Sequence, residues 1–130
     1  VTGMPVTVIP GNHDVYTRGS LRVKRFEQYF SHLMEGERED GADYPFVQRL
    51  GDTALVGVTT AIPSYPLYAV GRVGGEQLAR LGRALGRLGR EGLARVVLIH
   101  HPVLPGVAKA RHELLDLDDF ARVIAEHGAE

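Results

Sequence analysis

Short apolar runs alternate with longer amphipathic stretches along this chain, a pattern typical of mixed α/β proteins. The β-branched run at residues 6–9 is closed by a Pro-Gly pair and predicts a buried strand, and residues 96–99 predict a second one. Residues 46–50 and 54–59 flank Gly51-Asp52, which predicts a hairpin with a type II′ or similar turn.

Three amphipathic segments predict helices. Residues 21–33 place apolar side chains three and four positions apart, which indicates one helix with a single apolar stripe. Residues 78–88 carry leucines at similar spacing, although each glycine in that helix costs it about 1 kcal/mol relative to alanine. A last helix is expected near the end of the chain, with Asp116 or Asp118 as N-cap, Phe120, Val123 and Ile124 facing inward, and Gly128 at its C-terminal end.

The remaining segments connect these elements. Residues 35–43 are polar and predict a solvated loop, and residues 61–75 predict an irregular connection long enough to be functional. Strands therefore alternate with helices apart from the hairpin, which favours an α/β fold with a mixed sheet. The apolar content of 44% is enough to bury the core of one domain spanning residues 1–130.

Composition and charge narrow the classes of function. The net charge of -1 gives no electrostatic basis for binding nucleic acid or an anionic membrane surface. No apolar run approaches the roughly 20 residues of a membrane-spanning helix. The absence of cysteine removes thiolate metal sites, disulfides and cysteine nucleophiles, and it is compatible with the cytoplasm, which is the compartment we expect.

Two polar clusters follow the two predicted buried strands. Asn12, His13 and Asp14 come after the first strand, and His100 and His101 come after the second. Open α/β sheets place ligands at the carboxyl ends of their strands, so both clusters are candidates for one site. Amide oxygen, imidazole nitrogen and carboxylate are all metal ligands, and the sequence therefore suggests a metal site.

The motifs in these clusters resemble those of the calcineurin-like metallophosphoesterases. Pro-Gly-Asn-His-Asp after a strand is similar to the family's G-N-H-D/E block, and His-His-Pro after a later strand is similar to its H-x-P block. The stretches VIPGNHDVYTRGS, GRVGGEQLARL and VVLIHHPVLPG extend the resemblance over most of the chain. The resemblance implies a sandwich of two mixed β-sheets with helices outside, of which about half is expected here.

The same resemblance implies a function. Members hydrolyse phosphomonoesters or phosphodiesters at a dinuclear centre, so we expect a small phosphoester substrate and two divalent or trivalent ions drawn from Mn, Fe, Zn and Co. Asn12 and His100 correspond to metal ligands, and His13 corresponds to the general acid at the leaving group. Asp14 is expected to bind and orient His13. His101 occupies the variable position of its block and is a weaker candidate ligand.

Several family blocks have no counterpart in the sequence. The D-x-H and G-D blocks are missing before Val1, and the G-H-x-H block is missing after the last helix. We therefore expect an internal piece of a longer enzyme that carries half of the site and is inactive alone.

Other interpretations stay open from the residues themselves. Asn12 and Asp14 also suit a turn after a strand, and His100 also suits a core position at a strand end. For His101, packing or a substrate contact competes with coordination. The chain is alternatively a non-catalytic or degenerate family member that binds a partner or one metal, or an unrelated α/β domain. Tyr65 and Tyr68 lie outside the clusters, and we expect them either to line the pocket of the site or to pack over it. The remaining candidates are expected on the surface: His32, His112, His127 and Arg18.

Overall fold

The strands form one four-stranded mixed sheet in the order β1-β2-β3-β4. The computed structural model describes residues 3–15, 17–64 and 67–130. Its strands are β1 (Glu37–Arg38), β2 (Phe46–Leu50), β3 (Thr53–Gly57) and β4 (Ala94–Leu98). β2 is antiparallel to both β1 and β3, whereas β3 and β4 are parallel. The predicted α/β class with a mixed sheet is confirmed.

The predicted hairpin is confirmed with its two-residue turn. Leu50 pairs with Thr53, so Gly51 and Asp52 alone connect β2 to β3. Gly51 has a φ of 59°, which is the positive value that a type II′ turn requires at its first central residue.

The helices are α1 (Arg18–Val23), α2 (Arg25–Phe30), α3 (Gly75–Arg90) and α4 (Leu117–His127), with short 3-10 turns at Asn12–Val15 and Ser31–Leu33. Helix α3 matches the predicted amphipathic helix and buries its leucine stripe in the main core. Its glycines make close packing possible, because a Cβ on Gly82 would lie 2.8 Å from the His127 ring on α4. His127 is thus half-buried between the two helices rather than on the surface.

Helix α4 is confirmed between Asp116 and Gly128. Phe120 is buried as predicted, and Val123 and Ile124 pack against the main core while partly exposed. Asp116 lies at the N-cap position, but its carboxylate accepts hydrogen bonds from the backbone N–H groups of residues 73 and 74 instead of capping the helix. It thereby fixes the segment that leads into α3.

The prediction of a buried strand at residues 6–9 is wrong. The segment belongs to no strand, and Val6 is 58% exposed. A strand needs a neighbouring backbone to pair with, and a β-branched sequence cannot supply one. The second sheet of the expected sandwich accordingly has no counterpart in the described ranges. The strand predicted at residues 96–99 is present, because β4 covers most of that range. It is half-buried rather than buried, since β4 lies at the edge of the sheet.

The single helix predicted at residues 21–33 is also wrong. The backbone breaks at Lys24, which has left-handed torsion angles (φ 46°, ψ 49°) and separates α1 from α2. No side chain of α1 or α2 is buried, so tertiary packing does not hold the segment in one continuous helix.

The loop predicted at residues 35–43 is more ordered than expected. It contains β1, and its acidic side chains form ion pairs with α3. Arg87 lies 2.8 Å from Glu37 and 3.0 Å from Glu39. The irregular connection at residues 61–75 is confirmed over its described part. No helix in the described ranges is long and apolar enough to cross a bilayer.

Candidate functional site

Asn12 and His100 are 88 residues apart in the sequence but in direct contact in the fold. His100 follows the carboxyl end of β4 by two residues, and its Nε2 donates a hydrogen bond of 2.9 Å to Asn12 Oδ1. Asn12 is 7% exposed and begins the 3-10 turn Asn12–Val15. Gly11 permits the approach, because a Cβ there would lie only 3.1 Å from His100 Cε1.

The turn that presents Asn12 is closed by its own backbone and by Asp14. The Asp14 N–H donates to Gly11 O at 3.1 Å, and the Gly11 N–H donates to Asp14 Oδ2 at 2.8 Å. Val15 is buried and anchors the end of the turn. Asp14 therefore shapes the turn, and its predicted contact with His13 stays a prediction.

Asn12 and His100 would offer an amide oxygen and an imidazole nitrogen, two donor types that bind transition-metal ions. These two atoms lie 2.9 Å apart. Coordination would need His100 to carry its proton on Nδ1, so that Nε2 and Asn12 Oδ1 would both have lone pairs free for an ion.

His101 uses both ring nitrogens within the protein. Nε2 donates to the backbone oxygen of Ala69 at 2.8 Å, so in the neutral ring Nδ1 accepts from the Thr60 hydroxyl at 2.6 Å. His101 is 4% exposed, and burial lowers the pKa of His101 below its usual value of 6.5, although the hydrogen bond to the Ala69 carbonyl opposes that shift. This arrangement matches the packing interpretation of His101 rather than coordination.

A cavity of about 740 Å³ lies next to Asn12 and is also lined by His13. The lining also includes Lys109, Arg111 and His112, for which the sequence predicted no role at the site. None of the described residues around the cavity is acidic. The lining therefore favours an anion.

Sequence reasoning missed this basic group for an identifiable reason. The residues Lys109-Ala110-Arg111-His112 lie in an irregular loop, where no periodicity shows which side chains converge. The only signal was a run of cationic side chains shortly after the His-His-Pro motif. His112, which we expected on the surface, is exposed but faces this cavity.

Among the described residues, one of the other candidates lies at the cavity. Tyr68 lines it, whereas Tyr65 lies outside the described residues. His32 and Arg18 are exposed, as predicted, and neither borders this cavity.

Residues 3–15, 17–64 and 67–130 contain no group of three or more His, Asp or Glu side chains that could hold a metal ion. Asn12 and His100 alone would therefore be an incomplete set of metal donors. Comparison of the chain with protein-family models finds no match, and neither does comparison with curated proteins.

Proposed function

We propose that this chain contributes part of a dinuclear metal site that hydrolyses phosphomonoesters or phosphodiesters. The observation that carries the proposal is the contact between Asn12 Oδ1 and His100 Nε2, which joins the two motifs on which the resemblance to metallophosphoesterases rests. The adjoining cavity supports it, because Asn12 and His13 border a space whose charged lining is cationic. A phosphoester is the anion that this combination suits.

The proposed roles follow from position. Asn12 and His100 would hold an ion of Mn, Fe, Zn or Co, and bound ions supply Lewis acidity toward the phosphate oxygens. His13 is exposed on the same turn and lines the cavity, where it would donate a proton to the leaving oxygen. The turn closed by Asp14 holds His13 and Asn12 in a fixed relation. The remaining ligands would come from residues other than these.

A second candidate is a non-catalytic module that binds a phosphorylated or other anionic partner. It is favoured by the absence of a cluster of three His, Asp or Glu side chains from the described ranges. Such a module would keep the cationic cavity and would need no complete metal centre.

Metal content and turnover of the full-length protein test the proposal. Asn12→Ala and His100→Ala should each lower metal affinity by at least about 10- to 100-fold, because even an outer partner of a metal ligand contributes that much. Turnover of bis-p-nitrophenyl phosphate with Mn²⁺ should fall in parallel. His32→Ala is the matched control, since His32 is exposed and does not line the cavity.

Full metal occupancy and normal turnover in both variants would refute the assignment of these ligands. A wild-type protein that binds phosphate esters without hydrolysing them under any of the four metals would favour the non-catalytic module.

A further inference from the structure

The loop that carries Lys109, Arg111 and His112 is built into the wall of the cavity by backbone hydrogen bonds. The His112 N–H donates to Lys109 O at 2.7 Å and closes a turn around Arg111. The Ala69 N–H donates to Arg111 O at 2.7 Å and joins this turn to the opposite segment. Three basic side chains are therefore presented by a braced turn rather than by a free loop.

Two further backbone hydrogen bonds join the segment after Ala69 to the segment after Arg111. The Gly71 N–H donates to Glu113 O at 3.0 Å, and the Leu115 N–H donates to Gly71 O at 2.8 Å, so the segments run in parallel for several residues. The guanidinium of Arg111 lies 5.5 Å from the centroid of the Tyr68 ring, in cation–π geometry. That contact restrains Arg111 before any ligand arrives, which lowers the entropy lost on binding.

His101 connects these hydrogen-bonded segments to the candidate metal ligands. Ala69, which binds the Arg111 carbonyl through its N–H, accepts a hydrogen bond from His101 Nε2 through its own oxygen. His101 precedes Pro102 and directly follows His100, the residue in contact with Asn12. The cationic wall and the Asn12–His100 pair thus hold a defined relation to each other.

The cavity is larger than a phosphate group alone requires. Its volume of about 740 Å³ is in the range of pockets that enclose a whole organic ligand. Leu67, Tyr68 and Ala69 give part of it an apolar surface, and Lys109 and Arg111 carry fixed positive charge on the same lining. Its volume and lining suit an organic phosphate that has an apolar body and more than one anionic group.

We propose that Lys109 and Arg111 form a specificity site for a second anionic group of the substrate, carried on an apolar or aromatic body that packs against Tyr68. The inference rests on the proposed function for the identity of the first group, a phosphoester next to Asn12 and His13. The preferred substrate class is thus an organic phosphoester with a further phosphate or carboxylate, rather than a singly charged ester.

Equilibrium binding of two matched phosphonates tests the inference without hydrolysis. Phenylphosphonate carries one anionic group, and 4-carboxyphenylphosphonate adds a carboxylate to the same ring; neither has an ester bond to cleave. Titration calorimetry in EDTA should show that the wild-type chain binds the carboxylated ligand about tenfold more tightly, as expected for two partly exposed ion pairs. Added salt should reduce that ratio.

Variants test whether Lys109 and Arg111 cause the difference in affinity between the two ligands. Lys109→Gln combined with Arg111→Gln should bring the affinity ratio close to one, whereas Lys109→Arg should preserve it. Arg122→Gln is the matched control, because Arg122 is an exposed arginine on α4 outside the cavity lining. Circular dichroism of each variant confirms that the exposed substitutions leave the fold intact.

Equal affinity of the wild-type chain for both ligands, binding of neither, or an unchanged ratio in the double variant would each overturn the inference. These results are independent of turnover. If the wild-type affinity ratio is one but Asn12→Ala and His100→Ala lose metal, the specificity site is rejected and the proposed function stands. If the ratio is ten but neither variant loses metal, the proposed function is rejected and the specificity site stands.

Discussion

Replacing His101 tests the view that it holds the cavity wall to the sheet rather than binding metal. His101→Leu keeps the apolar bulk but removes both hydrogen bonds of the ring. Thr60, which is 0% exposed, would lose its partner at Nδ1, and the half-buried Ala69 oxygen would lose its partner at Nε2.

The cost can be worked out from these two groups. A buried polar group left without a hydrogen bond costs about 1–3 kcal/mol, and the Ala69 oxygen costs less because water can reach it. The expected loss in the free energy of unfolding is therefore about 2–4 kcal/mol. Thr60→Val removes the other partner and should cost about 1–3 kcal/mol by itself. Combining both changes leaves no orphaned group at that contact, so the double variant should lose less than the sum by roughly 1 kcal/mol.

Urea unfolding followed by circular dichroism measures these values for the two single variants and the double variant. His112→Ala is the control, because His112 is exposed and should change stability by less than about 0.5 kcal/mol. A loss below about 1 kcal/mol in His101→Leu, or strict additivity with Thr60→Val, would contradict the structural role. Loss of bound metal without loss of stability would restore His101 as a ligand.

Three further predictions concern pH, catalysis and packing. Because burial lowers the pKa of His101 in the folded state, stability should be fully present above pH 6.5 and decline as the pH falls toward the folded-state pKa; urea midpoints across that window should show a shallower decline in His101→Leu. His13→Ala in the full-length protein should retain metal but lose on the order of 10²–10⁴-fold in turnover, with a smaller loss for nitrophenyl esters than for alkyl esters, and equal losses would exclude the acid role. Gly57→Ala should cost about 1–3 kcal/mol by urea unfolding, because its Cβ would overlap the fully buried Phe46 ring, whereas Gly75→Ala, with open space around it, should not destabilise.

The elements that could be predicted from the sequence are those whose determinants are local. The hairpin follows from Gly51-Asp52, whose short turn fixes the pairing of Leu50 with Thr53. Helix α3 follows from a leucine stripe that needs only one apolar surface to pack on. In both cases the residues that specify the element lie within it, so a single sequence contains the whole signal.

The failed predictions concern segments whose structure depends on partners elsewhere. Residues 6–9 have strand-forming side chains, yet Val8 and Ile9 pack half-buried against a small second core around Met34 and Phe46 without joining a ladder. Residues 21–33 have a helical apolar pattern, but of these side chains Phe26 packs only partly buried against the second core, and Lys24 takes the left-handed conformation that ends α1. Apolar periodicity indicates what a segment can bury and leaves open whether a surface is there to receive it.

The candidate site was partly predictable because its two motifs are short runs of metal-binding residue types that follow apolar segments. Asn12 and His100 could be paired from sequence only through the family resemblance, and the fold independently brings them within hydrogen-bonding distance. Lys109 and Arg111 belong to no such motif. Their convergence on the cavity depends on hydrogen bonds between two irregular segments, and irregular segments have no sequence period from which to infer a shared face.

The adjacent histidines have different hydrogen-bond partners, although their rings touch. The two rings are in edge-on contact, with an interplanar angle of 89° and centroids 5.1 Å apart. His100 turns toward Asn12, and His101 turns toward Thr60 and the Ala69 segment. Both ring nitrogens of His101 are hydrogen-bonded within the protein, so His100 is the one of the pair whose nitrogen lies next to Asn12. His101 in turn joins the end of β4 to the Ala69 segment of the cavity wall.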